Sequence, residues 1–341
     1  MTHNVAILGA SGYTGAELVR LITTHPDLRI VALSADRNAG QQMADVFPHL
    51  RHLDLPGLQT IEEIDFSGID LAFCALPHGL THGFAKTMPA HLKLVDLSAD
   101  FRLSDAESYK KWYGLDHTAM DIQPQVAYGL PEVYRDAIAK AQITANTGCY
   151  VATSLLPLIP LLRAGAVKPE GLVIDAKSAV SGAGRALKES NLYCEVNEGF
   201  MAYGVAHHRH MGELDQELSL AAGVAVAPTF TPHLLPMSRG MMATIYAAGD
   251  AAAAHKVLVD TYADAPFVQV LPLGKTPATQ HVKGSNLCHI GVVADRAPGR
   301  MIIVSVLDNL MKGASGQALQ NANIMLGLEE TAGLQLSPVF P

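Results

Sequence analysis

Asn4-Val5-Ala6-Ile7-Leu8-Gly9-Ala10-Ser11-Gly12-Tyr13-Thr14-Gly15-Ala16-Glu17-Leu18 decides the fold class. The apolar run that ends at Leu8 reads as a buried strand. A glycine-rich turn follows at once, and Ala16-Glu17-Leu18-Val19-Arg20-Leu21-Ile22 carries apolar residues at helical spacing. Strand, glycine turn and helix are the parts that dinucleotide binding needs. Gly9 permits the tight turn, Gly12 lets backbone approach a pyrophosphate, and Gly15 lets the helix pack closely on the strand. The helix start then faces phosphate. Gly9, Ser11, Gly12, Tyr13, Thr14 and Gly15 form the candidate cradle. The spacing is G-x-x-G-x-x-G, and a glycine turn without a ligand is the alternative reading.

The following segments repeat the strand–helix alternation. Leu28–Leu33 reads as a second strand ending at Ser34-Ala35-Asp36-Arg37. NAD sites usually place an acid there for the ribose hydroxyls. Here Ser34 takes that place and Arg37 follows, which suits a 2′-phosphate and predicts NADP. A solvated surface charge is the other reading of Arg37. Asp70–Leu76 reads as a strand running into Pro77, and Lys93–Ser98 as another running into Arg102. Apolar strands alternating with helices predict a Rossmann-type, doubly wound parallel sheet. Ligands bind at the carboxyl ends of such strands, so Leu76, Pro77, Ser98 and Arg102 are expected near the nucleotide or its reaction partner. Cys74 falls inside a strand and reads as core. His78 and His82 lack a third ligand at metal-binding spacing and read as loop groups; no metal is expected.

Composition bounds the rest. The 341 residues suggest about two domains. With 49% apolar and 16% charged residues the chain can build a large core. A net charge of −8 without a basic run argues against nucleic acid or an anionic membrane as partner. The longest apolar stretch, Cys149 to Leu162, is too short for a bilayer span and contains Pro157 and Pro160. Met1-Thr2-His3-Asn4 does not open a signal peptide. Cys74, Cys149, Cys194 and Cys288 lie far apart with no CxxC pair, which argues against a zinc ribbon or disulfide framework. A reduced, cytoplasmic protein is expected.

Cys149 carries the chemistry. Ile143-Thr144-Ala145-Asn146 reads as a strand, Gly148 as a turn, and the apolar segment from Cys149 as a helix. A thiol there meets the positive end of a helix dipole. That environment favours the nucleophilic thiolate. A buried structural cysteine is the competing reading. A second glycine loop, Ser181-Gly182-Ala183-Gly184-Arg185, follows a strand-like run over Leu172–Ser178; it suits the nicotinamide end of a cofactor or is a plain turn. His207-His208-Arg209-His210 follows. In an extended segment His208 and His210 face one side. One imidazole beside a thiolate serves as base for the thiol and acid for a departing oxyanion. A metal site or a partly exposed polar cluster are the alternatives. Runs at Val224–Ala227, Met241–Tyr246, Ile290–Ala294 and Met301–Val306 read as strands, and Asn309–Leu326 as a final helix. They predict an α+β catalytic domain with a mainly antiparallel sheet. The expected division is 1–148 plus 309–341 for the nucleotide domain and 149–308 for the catalytic and dimerisation domain.

Several stretches occur together in one order: Gly9–Leu18, Asp96-Leu97-Ser98-Ala99-Asp100-Phe101-Arg102, Ala127–Glu132, Gly148-Cys149-Tyr150, Val180–Arg185, His208-Arg209-His210, Phe230–Leu234 and Asp308–Ala314. On these the chain resembles the N-acetyl-gamma-glutamyl-phosphate reductase family, type 1, end to end. That family is related to aspartate-semialdehyde dehydrogenases. The chain departs from it at Thr147, Val151 and Gly212, where the family usually has proline. The resemblance implies reduction of an acyl phosphate to an aldehyde by NADPH in arginine biosynthesis, through a Cys149 thioester. It implies His210 as general acid/base with His208 as second choice, and Asn146 with backbone N–H groups at the oxyanion. It further implies Arg102 on the substrate phosphate, Arg185 or Arg239 on the substrate carboxylate, and Asn309 with Ser181 and Gly182 at the nicotinamide. A homodimer or homotetramer is expected. An acyl-phosphate reductase of the lysine or aspartate pathways, or a nucleotide-sensing regulator that lost catalysis, are the rival functions.

Overall fold

Alternating apolar runs and glycine-capped helices build a computed structural model that describes residues 2–340. It divides into two units. One takes the chain up to Lys110, Gly114–Thr147 and Ala314–Gln335. The other takes Lys111–Tyr113, Gly148–Gly313 and the stretch from Leu336.

The first unit holds seven strands: β1 (His3–Leu8), β2 (Leu28–Ser34), β3 (Leu58–Gln59), β4 (Leu71–Cys74), β5 (Lys93–Asp96), β6 (Val126–Gly129) and β7 (Ile143–Asn146). Their order is β3-β2-β1-β4-β5-β7-β6, and every neighbouring pair is parallel. This is the Rossmann-type sheet the sequence predicts. The inner stretches of the two central strands are apolar, as coverage on both faces requires. Val5–Leu8 and Leu71–Cys74 are fully buried. Burial pushes the Cys74 thiol pKa up, as befits a core cysteine. The chain winds outward in opposite directions from β1 and β4. Their carboxyl ends therefore flank the switch point where such sheets hold ligands.

The second unit carries β8 (Val173–Ala179), β9 (Met201–Ala202), β10 (Thr229–Leu235), β11 (Met241–Ala248), β12 (Val268–Val270), β13 (Cys288–Ala294) and β14 (Arg300–Leu307). The order is β12-β13-β14-β11-β8-β10-β9, with only β12/β13 and β8/β10 parallel. Burial alternates along β11, so one face of the sheet is covered. The expected strand at Val224–Ala227 is not formed. Gly223 ends the preceding helix in a left-handed conformation, and pairing with β8 begins only at Thr229.

The Cys149–Arg163 helix is the core element of this unit. Tyr150 through Leu162 are all buried, which explains a helix that is apolar all round. Pro160 cannot donate to the carbonyl of Leu156. The Tyr262 hydroxyl donates to that carbonyl instead. The helix packs against the His210–Ala222 helix, whose first residue lies over Gly148. Among the described residues no helix is long and apolar enough to cross a membrane.

Candidate active site

Steric room differs among the glycines of the first turn. Gly9 has φ +86°, and a Cβ there would lie 2.5 Å from the Ala75 carbonyl oxygen. A Cβ on Gly15 would lie 2.6 Å from the Gly9 oxygen and from Ala10 Cα. Packing alone dictates both glycines. Gly12, which caps the Tyr13–Ile22 helix, is different: its Cβ would meet only the Gly9 oxygen, at 3.7 Å. No protein atom needs that space. It lies over a helix start whose first N–H groups have no helical acceptor, the setting that binds phosphate. The cradle fits a dinucleotide. Ser11 and Thr14 are half-buried beside it, Tyr13 is exposed, and the Thr14 carbonyl accepts from Ser315 Oγ.

Several other expected contacts are bonded within the protein, and others are exposed. Ser34 is buried, and its Oγ accepts from the Gly9 N–H at 3.1 Å. Arg37 is exposed. Ser98 is buried in a polar knot, donating to Asp96 Oδ2 at 2.9 Å and accepting from Thr81 Oγ1 at 3.1 Å. Burial, reinforced by Asp100, raises Asp96 to about 6. Arg102 is nine-tenths buried, with Nη2 donating to the Leu97 carbonyl. His78 Nδ1 accepts from the Ala99 N–H, and His82 Nε2 bonds the Asp100 carbonyl. Pro77 is exposed, while Leu76 lines a separate cavity of about 520 Å³ in this unit. Asn146 is buried too. Its Nδ2 donates to the Ala314 carbonyl, and its Oδ1 accepts from Asn321. A buried amide must be paired, and this one is paired inside the first unit.

The second unit places the thiol. Cys149 is the first helical residue and is half-buried. Gly148 caps the helix with no side chain of its own, and its N–H donates to buried Glu213 at 3.3 Å. His210 begins the neighbouring helix, and its imidazole lies directly over Gly148. A Cβ on Gly148 would lie 2.6 Å from His210 Nε2 and 2.9 Å from Cε1. On its other side, a Cβ on Gly313 would lie 2.9 Å from Cys149 Cβ. Two glycines thus let a backbone turn close on the cysteine and an imidazole sit on the residue before it. Gly212 is filled in the same way by Trp112, whose Cδ1 lies 2.5 Å from where a Cβ would sit.

His208 and His210 do come together, 4.8 Å apart at 70° between ring planes. The expected extended backbone is not what joins them. Arg209 is in the right-handed helical region, and the His210 N–H donates to His208 Nδ1 at 3.2 Å. That bond requires His208 to be neutral with its proton on Nε2. Burial, with Arg209 and His207 adding, lowers His208 to about 4. Tyr203 donates to the Tyr150 hydroxyl at 3.1 Å, and Tyr150 donates to the His233 carbonyl at 2.9 Å. Burial pushes Tyr203 up to about 12 and Tyr150 higher still, so both hydroxyls stay protonated. Cys149, His208, His210, Tyr150, Tyr203 and Gly182 line one cavity of about 560 Å³. Tyr150, Tyr203 and Glu213 were not picked out from the sequence; a tyrosine directly after the cysteine and a glutamate three residues beyond His210 were the available signals.

Of the remaining expected contacts, Asn309 and Arg239 are bonded to neighbouring segments. Asn309 is buried; its Nδ2 donates to Ser181 Oγ at 2.8 Å and its Oδ1 accepts from the Gly240 N–H at 2.8 Å. It holds the Ser181–Gly182 turn in place. Arg239 Nη1 lies 3.5 Å from both oxygens of buried Asp308. Arg185 is exposed.

Both units match known families. Residues 4–141 match the semialdehyde dehydrogenase NAD-binding domain family, and residues 149–309 the semialdehyde dehydrogenase dimerisation domain family. An aspartate semialdehyde dehydrogenase II from Vibrio cholerae, complexed with ASA, superposes with a TM-score of 0.71. It is 19% identical, over 96% of this chain and 99% of that one. An aspartate semialdehyde dehydrogenase with NADP from Candida albicans superposes with a TM-score of 0.72 at 18% identity, over 96% and 99%. In sequence, the N-acetyl-gamma-glutamyl-phosphate reductase of Ruegeria pomeroyi is 58% identical and that of Paracoccus denitrificans 57%, each over the full length of both chains. With relatives this similar along its whole length, the chain belongs to the N-acetyl-gamma-glutamyl-phosphate reductase family.

Proposed function

We propose that this chain reduces N-acetyl-γ-glutamyl phosphate to N-acetylglutamate 5-semialdehyde with NADPH, through a thioester on Cys149. One observation carries the reading: the His210 imidazole sits on Gly148, one residue ahead of a cysteine that opens a helix.

The chemistry follows from those parts. The Cys149 sulfur attacks the acyl carbon, the carbon–oxygen bond to phosphate breaks, and inorganic phosphate leaves. One hard displacement becomes two easier ones. The first-turn N–H groups of the Cys149 helix have no helical acceptor and hold the developing oxyanion. When bound, NADPH supplies the hydride that reduces the thioester carbon. The carbon–sulfur bond then breaks, the aldehyde leaves and the electron pair returns to Cys149. His210 moves the proton at each oxyanion. His208, neutral at physiological pH, donates from Nε2 and keeps the His210 backbone in place.

For the cofactor, the Gly9–Gly15 turn holds the pyrophosphate, with Gly12 as the point of closest approach. Ser34 is committed to the turn, so Arg37 is the cation for the 2′-phosphate that favours NADP over NAD. Leu76 offers an apolar wall to the adenine, and the Ser181–Gly182 turn meets the nicotinamide. Arg102 takes the substrate phosphate. The match to a dimerisation domain supports a homodimer or homotetramer, and the free, dispersed cysteines support a cytoplasmic setting.

The test is phosphate-dependent NADP⁺ reduction with N-acetylglutamate 5-semialdehyde. Wild type is active, and Cys149→Ser loses more than about 10³-fold in kcat. A Cys149→Ser enzyme within about tenfold of wild type ends the covalent mechanism.

A further inference from the structure

Neither arginine expected at the substrate carboxylate lines the Cys149 cavity. Arg239 is committed to Asp308, and Arg185 lies outside the lining residues. The full cations on the wall are instead Lys188 and Arg209. No aspartate or glutamate lines the cavity with them. Both are exposed, and among the described residues neither has a carboxylate partner. Arg209 lies close enough to His208 and Tyr203 to act on both electrostatically. Lys188, Ser190 and Asn191 come from one short turn that forms the same wall. Asn191 Nδ2 is buried there with no acceptor among the described residues. A wall with two unpaired cations, an unmatched amide donor and no acid is complementary to an anion rich in acceptor oxygens.

We infer that Lys188 and Arg209 form a carboxylate subsite on the wall of the Cys149 cavity, with Arg209 as the directional grip. The guanidinium presents a planar fork that matches a carboxylate, whereas Lys188 contributes a mobile point charge. The inference rests on the reductase reading only for the identity of the tail, the α-carboxylate of an N-acylated amino acid. The reacting acyl carbon at Cys149 and the carboxylate at Arg209 then hold the substrate at both ends, and a ligand without the second anion loses its orientation.

Alkylation of Cys149 reads the subsite without any substrate. Iodoacetate carries the carboxylate and iodoacetamide does not, so the ratio of their rates cancels the intrinsic reactivity of the thiol. Rates are followed at the Cys149 peptide by mass spectrometry, because Cys194 is also an exposed thiol. Arg209→Gln lowers the iodoacetate-to-iodoacetamide ratio about fivefold or more, Lys188→Gln lowers it less, and Arg209→Lys restores most of it. In turnover, Arg209→Lys raises KM for the semialdehyde about tenfold, far more than it lowers kcat, because charge without the fork does not orient. An unchanged ratio in both Gln variants overturns the subsite. A lowered ratio in a protein whose wild type shows no reductase activity keeps the subsite and discards the proposed reaction.

Discussion

The two glycine-capped helix starts of this chain share one local design and differ in what lies above it. Gly12 and Gly148 both precede a helix with extended backbone, at φ −87°, ψ 170° and φ −69°, ψ 150°, and neither position offers a side-chain cap. Over Gly12 the protein leaves room, with 3.7 Å to the nearest atom a Cβ would meet. Over Gly148 it leaves none, because His210 Nε2 stands 2.6 Å from that point. Both helix starts present first-turn N–H groups without a helical acceptor at the positive end of a dipole, one left open and the other covered by an imidazole. The two starts differ in what fills the space over a glycine, not in backbone.

Substitution at the two glycines breaks that comparison most directly. Gly148→Ala forces the His210 imidazole aside, because a Cβ cannot occupy a site 2.6 Å from Nε2. Loss of a positioned acid/base group costs about 10²- to 10⁴-fold. We expect kcat to fall at least about 10²-fold with coenzyme affinity intact, and His210→Asn to fall as far. A Gly148→Ala enzyme within threefold of wild type would show that the imidazole over Gly148 does not take part. Gly12→Ala should do the reverse. Its Cβ meets open space at a backbone angle alanine accepts, so the fold is unharmed or gains up to about 1 kcal/mol. NADPH dissociation constants should rise about tenfold, with kcat at saturation little changed. Equal coenzyme affinity in Gly12→Ala and wild type would mean the space over Gly12 holds no pyrophosphate.

Much of this was legible in the sequence because it is local. The β1–glycine–helix stretch and the Gly148–Cys149 turn each lie within one short segment, and residue type there dictates backbone. Side chains were harder to read, since their partners come from far along the chain. Ser34 and Ser98 look available at strand ends, yet Gly9 and Asp96 claim their hydroxyls. Asn309, expected at the nicotinamide, bonds Ser181 and Gly240, neither of which its own segment points to. Arg239 is indistinguishable by spacing from a substrate ligand until Asp308, 69 positions on, is seen beside it. The strand at Thr229–Leu235 was displaced by several residues in the reading because Val224–Ala227 is the more apolar run; pairing with β8, a long-range term, decides the register. Gly212 was visible only as a missing proline, and Trp112 supplies the reason for the space.

The smallest expected effect concerns the ring that supports the occupied helix start. His208 accepts the His210 N–H, and that bond exists only while Nδ1 is unprotonated. Its folded value of about 4 lies below the ordinary value of 6.5. Between those two pH values the unfolded chain binds more protons at this residue than the folded one does. Stability from neutral His208 is therefore complete above about pH 6.5 and is lost as pH falls toward 4. One group contributes at most about 1.4 kcal/mol per pH unit over that window. His208→Gln, which does not titrate, should show a shallower fall in melting temperature between pH 6.5 and 4.5 than wild type. If the two curves run parallel, His208 is not held neutral in the folded protein. The support for the imidazole over Gly148 must then be sought in Glu213 and the helix packing.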